Sequence, residues 1–215
     1  MSSMSTDRGA RGDSLRLGVI LLAAGESTRM GRLKALLPWG KAGTLLEYHL
    51  EQLSRSRATD IVLVLGHQAD ELRPLAARFP QVRVVINERY SEGRASSIRT
   101  GALALPEGVR AVAVIAVDQP CPASLLDFLF EEHLHGDALI TIPAYQGQRG
   151  HPPIFDGTLL SELRAVDDAT EGLREVRRRH ADSVRLVETG SPFVLLNLNR
   201  PEDYQQALEL AARDL

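Results

Sequence analysis

Residues 17–34 read L-G-V-I-L-L-A-A-G-E-S-T-R-M-G-R-L-K, an uncharged and largely apolar run that continues directly into a polar loop. An apolar run of this length is typical of a buried strand in a parallel sheet. We therefore predict a strand at Leu17–Ala23. Ligands of open α/β sheets bind beyond the carboxyl ends of the strands, so the loop that follows is a candidate binding site.

The rest of the chain alternates between apolar runs and helical stretches. Further strands are predicted at Ile61–Leu65, Val82–Ile86 and Ala111–Val117. Helices are predicted at Leu45–Arg57 with a Thr44/Glu47 capping box, Asp70–Phe79, Ser96–Leu105, Leu125–His133 with Ser124 as its N-cap, Leu173–His180 and Pro201–Arg213. Loops or a short hairpin are expected after Pro143. This order predicts an α/β fold with a three-layer α/β/α, doubly wound, mostly parallel sheet.

Composition and charge restrict the class of protein. The 215 residues are 44% hydrophobic, 25% charged and 5% aromatic, which is typical of a soluble globular chain. A formal charge of -3 argues against a protein that coats nucleic acid or binds a membrane surface. The single cysteine, Cys121, cannot form an internal disulfide, and no apolar run is long enough to span a bilayer. We expect a cytoplasmic protein with a disordered tail at 1–16 and one domain at 17–215.

The loop after the first strand has the groups that a triphosphate needs. Its glycines allow tight turns, its hydroxyls donate hydrogen bonds, and its cations supply charge at close range. These residues are Gly25, Gly31, Ser27, Thr28, Arg29 and Lys34. The spacing matches neither the P-loop pattern G-x-x-x-x-G-K-[ST] nor the Rossmann pattern G-x-G-x-x-G. The loop therefore predicts a phosphate site of another kind, with a solvated surface loop as the alternative.

A carboxylate follows the fourth predicted strand. The apolar run 111–117 ends in Asp118-Gln119-Pro120, at the edge where an α/β sheet presents its ligands. Magnesium is held in proteins by one or two carboxylates, waters and substrate phosphate oxygens. Asp118 is thus a candidate metal ligand, with an Asp that only caps the following turn as the alternative.

The loop resembles the L-A-A-G-x-S-x-R-M-G-x-x-K signature of the MobA-like NTP transferases, and among them it looks most like the molybdenum cofactor cytidylyltransferases. The resemblance implies a nucleotide-diphospho-sugar transferase type of fold. It implies that the backbone of Ala23–Gly25 contacts the base and ribose, and that Arg29 and Lys34 bind the phosphates. Ala24 is associated with cytosine in that family. The predicted nucleotide-binding residues are Leu22, Ala23, Ala24, Gly25, Ser27, Arg29, Gly31, Lys34, Asn87, Gly93, Ser96 and Ser97.

The same resemblance implies a magnesium site with one unusual ligand. The Asp of the family's D-x-P turn holds the metal, which corresponds to Asp118. Residues 197–203 resemble the family's D-I-D-T-P-E-D segment, but Asn197 and Asn199 replace the two aspartates and Arg200 replaces a capping Thr. We predict Asp118 and Asn199 as metal ligands, with Asn197 next. The alternative is that both asparagines are ordinary turn residues before a helix.

The segments that the resemblance assigns to the acceptor side match the family's sequence patterns less completely. Gly150, His151 and Pro152 match the G-H-P-x-x-F element that helps to form the acceptor pocket in the cytidylyltransferase branch. Residues 167–174 depart from the usual G-D-x-G-A-R, and only Gly172 and Arg174 remain in order. The basic run formed by Arg177–Arg179 and His180 is interpreted as a solvated helix face, with a phosphate clamp as the alternative.

These observations predict a magnesium-dependent nucleotidyltransferase with Arg29, Lys34 and Asp118 as its catalytic residues. The expected substrates are a nucleoside triphosphate (NTP), CTP being favoured, and a phosphorylated acceptor related to molybdopterin; a molybdoenzyme or accessory protein is a possible partner. One alternative is transfer to a sugar 1-phosphate or another phosphorylated metabolite. Another is a non-catalytic protein that binds a nucleotide or cofactor.

Overall fold

The computed structural model describes residues 15–26 and 33–213. The tail predicted at 1–16 falls almost entirely outside this part of the chain. So do three of the predicted site residues, Ser27, Arg29 and Gly31.

The described residues form one mixed, mostly parallel sheet of eight strands. The strands are β1 Leu17–Ala23, β2 Asp60–Leu65, β3 Val82–Ile86, β4 Ala111–Ala116, β5 Ile140–Tyr145, β6 Gln148–Arg149, β7 Ile154–Asp156 and β8 Val184–Glu188. Their order is β3-β2-β1-β4-β7-β5-β6, and β8 pairs with β5. Strands β3, β2, β1 and β4 are parallel neighbours, whereas β7 runs antiparallel between β4 and β5. The predicted fold class is confirmed.

Helices cover both faces of the sheet. They are α1 Leu45–Arg55, α2 Ala69–Ala76, α3 Arg94–Ala104, α4 Ala123–Leu134, α5 Leu160–Leu163, α6 Leu173–Arg179 and α7 Pro201–Arg213. Alternate residues of β1 belong to two different hydrophobic cores: Val19 and Leu21 pack with α1, α2, α4 and α7, while Ile20 and Leu22 pack with α3, α5 and α6. This alternation is the period of a strand that is buried on both faces. No helix in the two described ranges has both the length and the apolar character needed to cross a bilayer.

The start of α1 is confirmed and the start of α4 is corrected. Thr44 accepts a hydrogen bond from the Glu47 amide at 3.2 Å and donates its own amide to Glu47, which forms the predicted capping box. Helix α4 begins one residue before the predicted cap, Ser124. The reason is tertiary, because the Gln52 side chain on α1 accepts the Ala123 amide at 2.9 Å and satisfies that helix end from outside.

Candidate functional site

The loop after β1 and the turn after β4 meet at one edge of the sheet. The two strands are neighbours in register, with Leu22 opposite Ala116. The Val117 amide continues the ladder by donating to the Leu22 carbonyl at 2.9 Å. The chain therefore leaves β1 and β4 side by side, which brings Gly25 and Asp118 to the same cleft, as the sequence predicted.

The cleft has a volume of about 320 Å³ and is bounded by the ends of β1 and β4, the start of α3 and the turn at 33–35. Its walls include several of the predicted nucleotide-binding residues. Those among the lining residues are Leu22, Ala23, Ala24, Gly25, Lys34, Gly93 and Ser97, together with the predicted metal ligand Asp118. This size and shape is typical of a small-molecule site.

Lys34 joins the two predicted metal ligands. Its Nζ donates to Asp118 Oδ2 at 2.6 Å and to Asn199 Oδ1 at 2.8 Å. The Lys34 and Asp118 side chains are only 13% and 20% exposed, so the ion pair is shielded from bulk water. The Leu198 amide donates to the Asp118 carbonyl at 2.9 Å and holds the segment before α7 against the turn. Three residues distant in sequence thus converge at the border of the cleft, which Lys34 and Asp118 line directly.

The cap that the Arg200 substitution was expected to remove is partly retained. Asp203 Oδ2 accepts the Arg200 amide at 2.9 Å and the Asn199 amide at 3.1 Å. These bonds satisfy backbone donors at the start of α7 and fix the backbone from which the Asn199 side chain extends. Asn199 is therefore held in place by Asp203 through its backbone and by Lys34 through its side chain.

A buried histidine supports the Asp118 turn from below. His49 on α1 is fully buried, and its Nε2 lies 3.0 Å from the Val117 carbonyl, to which it must donate because a carbonyl only accepts. Burial lowers the pKa of His49 to about 4, whereas the Val117 hydrogen bond and the Asp118 charge act in the opposite direction. Its Nδ1 has no hydrogen-bond partner among the residues that the structure describes. Neutral His49 thus fixes the carbonyl that immediately precedes Asp118.

We expect His49 to make the fold acid-sensitive. Its pKa is about 4 in the folded protein against 6.5 in its ordinary state. The folded form therefore resists protonation, and stability is full above about pH 6.5 and falls as the pH drops towards 4. The loss from this one group reaches about 3 kcal/mol at the acid end of that window. Denaturation curves between pH 4 and 7 measure it, and a His49→Gln variant should show a shallower decline. Equal declines in the two proteins would contradict the assignment.

The segment 87–97 divides into residues that line the cleft and residues that hold it in shape. Gly93 and Ser97 line the cleft. Asn87 and Ser96 are buried behind it, where Asn87 Nδ2 donates to the hydroxyls of Ser96 at 2.8 Å and Ser97 at 2.9 Å. The Ser96 hydroxyl also lies within hydrogen-bond distance of the Arg89 and Gly93 carbonyls. Asn87 and Ser96 are therefore placed to shape the loop rather than to touch a ligand in this conformation.

Position 93 requires a glycine for two reasons, its backbone conformation and the close approach of a carboxylate that is distant in sequence. Its φ is 126°, and a Cβ at this position would lie 2.2 Å from Asp168 Oδ2. The same Asp168 oxygen accepts the Ala95 amide at 2.8 Å, so a side chain from the 167–170 turn caps the start of α3.

Gly93→Ala should therefore displace that cap. We expect it to lower the free energy of unfolding by about 1–2 kcal/mol more than Gly108→Ala does. Gly108 is a matched control because it also has a positive φ but has no atom near a Cβ. Chemical denaturation of the two variants tests this, and equal losses would exclude the Asp168 contact as the cause.

One of the three predicted acceptor residues, His151, borders a second cavity of about 240 Å³. His151 lines it, whereas Gly150 packs against Val194, whose carbonyl accepts the His151 amide at 2.7 Å. The His151–Pro152 peptide bond is cis. Burial lowers the pKa of His151, and Arg94 and Arg177 add to this effect. Gly150 and Pro152 thus place His151 rather than line the cavity themselves.

Arg94 connects the two cavities, since it lines both. It is open to solvent on one side, but the walls of the cleft crowd its guanidinium and lower its pKa, while Asp118 and Asp168 act in the opposite direction. An arginine remains protonated at neutral pH despite such a shift. Sequence reasoning did not assign Arg94 to the site. The available signal was its position in the sequence, directly after Gly93 and two residues before Ser96, both of which were predicted to bind the nucleotide.

The residues at this edge fit a divalent cation only in part. No group of three or more His, Cys, Asp or Glu side chains suited to a metal exists within residues 15–26 and 33–213. Asp118 and Asn199 supply two hard oxygens that already share one cationic partner, the Lys34 ammonium. Magnesium accepts such a set when water and substrate phosphate supply its remaining ligands.

Three known proteins align with most of this chain. The chain is 26% identical over 192 residues to the molybdenum cofactor cytidylyltransferase of Escherichia coli (strain K12), covering 88% of this chain and 94% of that protein. It is 35% identical over 210 residues to a probable molybdenum cofactor guanylyltransferase of Mycolicibacterium paratuberculosis, covering 93% and 99%. It is also 31% identical over 178 residues to the nicotine blue oxidoreductase of Paenarthrobacter nicotinovorans, covering 79% and 85%.

A family profile described as the MobA-like NTP transferase domain matches residues 19–184, which include the loop after β1, the Asp118 turn and the His151 segment. The match confirms the resemblance read from the signature of that loop. The chain belongs to the MobA-like NTP transferase family.

Proposed function

We propose that the protein transfers a nucleoside monophosphate from an NTP to a phosphorylated small molecule and releases pyrophosphate. The observation that carries this proposal is the convergence of Lys34, Asp118 and Asn199 beside the loop after β1, where Lys34 and Asp118 line a cleft of about 320 Å³. The favoured nucleotide is CTP and the favoured acceptor is molybdopterin or the molybdenum cofactor. A molybdoenzyme or its accessory protein would then receive the product.

The reaction requires the protein to neutralise negative charge on the phosphates and to align the two reacting groups. An oxygen of the acceptor phosphate attacks the α-phosphorus in line, the new P–O bond forms, and the bond to the bridging oxygen of pyrophosphate breaks. The acceptor phosphate is already anionic at neutral pH, so no side chain has to act as nucleophile. Lys34 and Arg94 are placed to offset the charge on the phosphoryl oxygens and to orient the two phosphates.

Asp118 and Asn199 would hold magnesium in this scheme. When bound, the ion would neutralise charge on the triphosphate and polarise the reacting phosphoryl group. The Lys34 ammonium interacts with the same two oxygens, so it has to turn from them towards the phosphates when a metal-nucleotide complex binds. Asn199 brings no charge, for which reason we expect weaker metal affinity than a pair of carboxylates gives.

The preference for CTP rests on the wall of the cleft near Ala24. Ala24 is only 4% exposed, and its carbonyl accepts the His67 amide at 3.1 Å. The backbone of Gly66 packs closely against the Ala24 methyl group, since a Cβ added to Gly66 would lie 2.8 Å from it. The methyl group therefore has little room to move away from a bound base. A methyl group here favours the smaller pyrimidine base.

A transfer assay tests the proposal. The protein is incubated with each of the four NTPs, magnesium, and either molybdopterin or a sugar 1-phosphate, and pyrophosphate and product masses are measured. We expect pyrophosphate release that depends on an acceptor, with CTP and molybdopterin giving the fastest rate. Absence of release with every combination would reject the proposed reaction.

A second candidate is binding of a nucleotide or cofactor without nucleotidyl transfer. Two observations favour it: Asn197 and Asn199 stand where the resembling family has aspartates, and one relative is named an oxidoreductase. The assay above distinguishes the two functions if NADH and NADPH are included as ligands. Tight binding of a dinucleotide with no pyrophosphate release would support this second candidate.

A further inference from the structure

Three cavities adjoin one another through shared lining residues, and we refer to this row of cavities as the path. The nucleotide cleft and the second cavity share Arg94. The second cavity and a third one, of about 310 Å³, share Arg174 and Arg177. The third cavity is thus linked to the nucleotide cleft through the second.

The far end of this path is basic. Arg149 on β6 and Arg174 and Arg177 on α6 line the third cavity, and we refer to these three residues as the arginine cluster. None of them forms an ion pair or a side-chain hydrogen bond with any residue that the structure describes. By contrast, Arg178 and Arg179 on the same helix pair with Glu175, and Arg179 also pairs with Glu162.

This contrast corrects the interpretation of Arg177–Arg179 as a solvated helix face. The prediction holds for Arg178 and Arg179, which are exposed. It is wrong for Arg177, which is half-buried and faces the two cavities. Burial lowers the pKa of Arg177, and the charges of Arg174, Arg149 and Arg94 lower it further.

Nearby carboxylates do not neutralise the cluster. Asp168 and Glu171 line the second cavity but not the third. Asp168 is engaged by the Ala95 amide at the start of α3. Arg149 and Arg174 are exposed and Arg177 is half-buried. Cations gathered in this way around one cavity repel one another, and an anionic group bound among them would relieve this repulsion.

The middle of the path is partly apolar. Ile98, Pro153 and Leu173 line the second cavity between Arg94 and the arginine cluster. These side chains offer contacts to a ring or a hydrocarbon segment rather than to charge.

We propose that the arginine cluster binds a second anionic group of the acceptor, separated from the reacting phosphate by an apolar or planar segment. The assignment of the reactive end to Arg94 rests on the proposed function. The presence of the second anion site does not.

Binding of synthetic probes tests the proposal directly. A series of straight-chain alkane bisphosphates is compared by calorimetry with the corresponding alkyl monophosphates. We expect the best bisphosphate to bind wild-type protein about tenfold more tightly than its monophosphate, or better, because charge-assisted hydrogen bonds are added at the far end. In an Arg149→Gln/Arg177→Gln variant this advantage should disappear, while NTP affinity stays at the wild-type value.

An Arg55→Gln/Arg73→Gln variant is the matched control. It loses the same charge from α1 and α2, where both arginines are exposed and lie outside all three cavities. It should keep the wild-type preference for bisphosphates. The proposal is overturned if no bisphosphate is preferred, or if the preference survives in the cluster variant. If the preference behaves as expected and no acceptor supports pyrophosphate release, the second anion site stands and the transferase function fails.

Discussion

Asp118→Asn is expected to lower kcat/KM for nucleotidyl transfer by about a thousandfold. Asp118 supplies the only carboxylate among the cleft-lining residues that the structure describes, and it lies 2.6 Å from Lys34 Nζ. The substitution keeps the shape of the side chain but removes the charge that balances Lys34 and would hold the metal. Loss of one electrostatic group at a reacting phosphate typically costs about 3–4 kcal/mol of barrier.

The dependence on metal concentration shows whether the charge acts through the metal. In Asp118→Asn, the Mn²⁺ concentration needed for half-maximal rate should rise together with the loss of rate. Asp137→Asn serves as the control because Asp137 is exposed and lies outside the cleft. Transfer by Asp118→Asn at the wild-type rate and at the same metal concentration would remove Asp118 from the mechanism.

Lys34→Ala is the second substitution with a large expected effect, a loss of about a hundred- to a thousandfold in transfer rate. The ammonium that offsets charge on the triphosphate is removed, so both nucleotide affinity and rate should fall. The control is Lys41→Ala, since Lys41 is exposed and lies outside the cleft.

The metal affinity of the same variant should rise, whereas its nucleotide affinity and transfer rate fall. In the free protein, the Lys34 ammonium is hydrogen-bonded to both Asp118 and Asn199. Its removal leaves the two oxygens available to a cation, so we expect Mn²⁺ to bind nucleotide-free Lys34→Ala more tightly than it binds wild-type protein. Calorimetry or electron paramagnetic resonance measures this affinity. Weaker Mn²⁺ binding in the variant would contradict a shared site for the ammonium and the metal.

The half of the fold built from long apolar runs could be predicted from the sequence. The bounds of β1 and β3 agree with the prediction at both ends, because burial on both faces of a parallel strand leaves a local and nearly continuous apolar signal. The strands after residue 140 are short and mixed in direction, which gives a weaker signal. There the sequence predicted no more than loops or a hairpin.

What the sequence did not predict depends on contacts between distant residues. The start of α4 depends on Gln52, 71 positions away from the amide it accepts. The conformation at Gly93 depends on Asp168, whose carboxylate binds the Ala95 amide across 73 positions. Local patterns contain no information about such partners, because a cap that comes from another element leaves the helix without its usual signature.

The candidate site shows the same division. The loop after β1 and the Asp118 turn were recognisable from local sequence, and the structure brings Gly25 and Asp118 to one cleft. The bond between Lys34 and Asn199 spans 165 positions and was visible only in the folded chain. The separation of Arg177 from its exposed neighbours likewise depends on which face of α6 turns towards the second and third cavities.

The most direct test of the central claim is a crystal structure of the protein with Mn²⁺ and a non-hydrolysable CTP analogue, with the metal located by its anomalous scattering. We predict one manganese peak in contact with the Asp118 carboxylate and the triphosphate, with the phosphates beside the loop after β1 and Lys34 turned towards them. A manganese ion or triphosphate bound away from Asp118, with Lys34 still held by Asp118 and Asn199, would contradict the account.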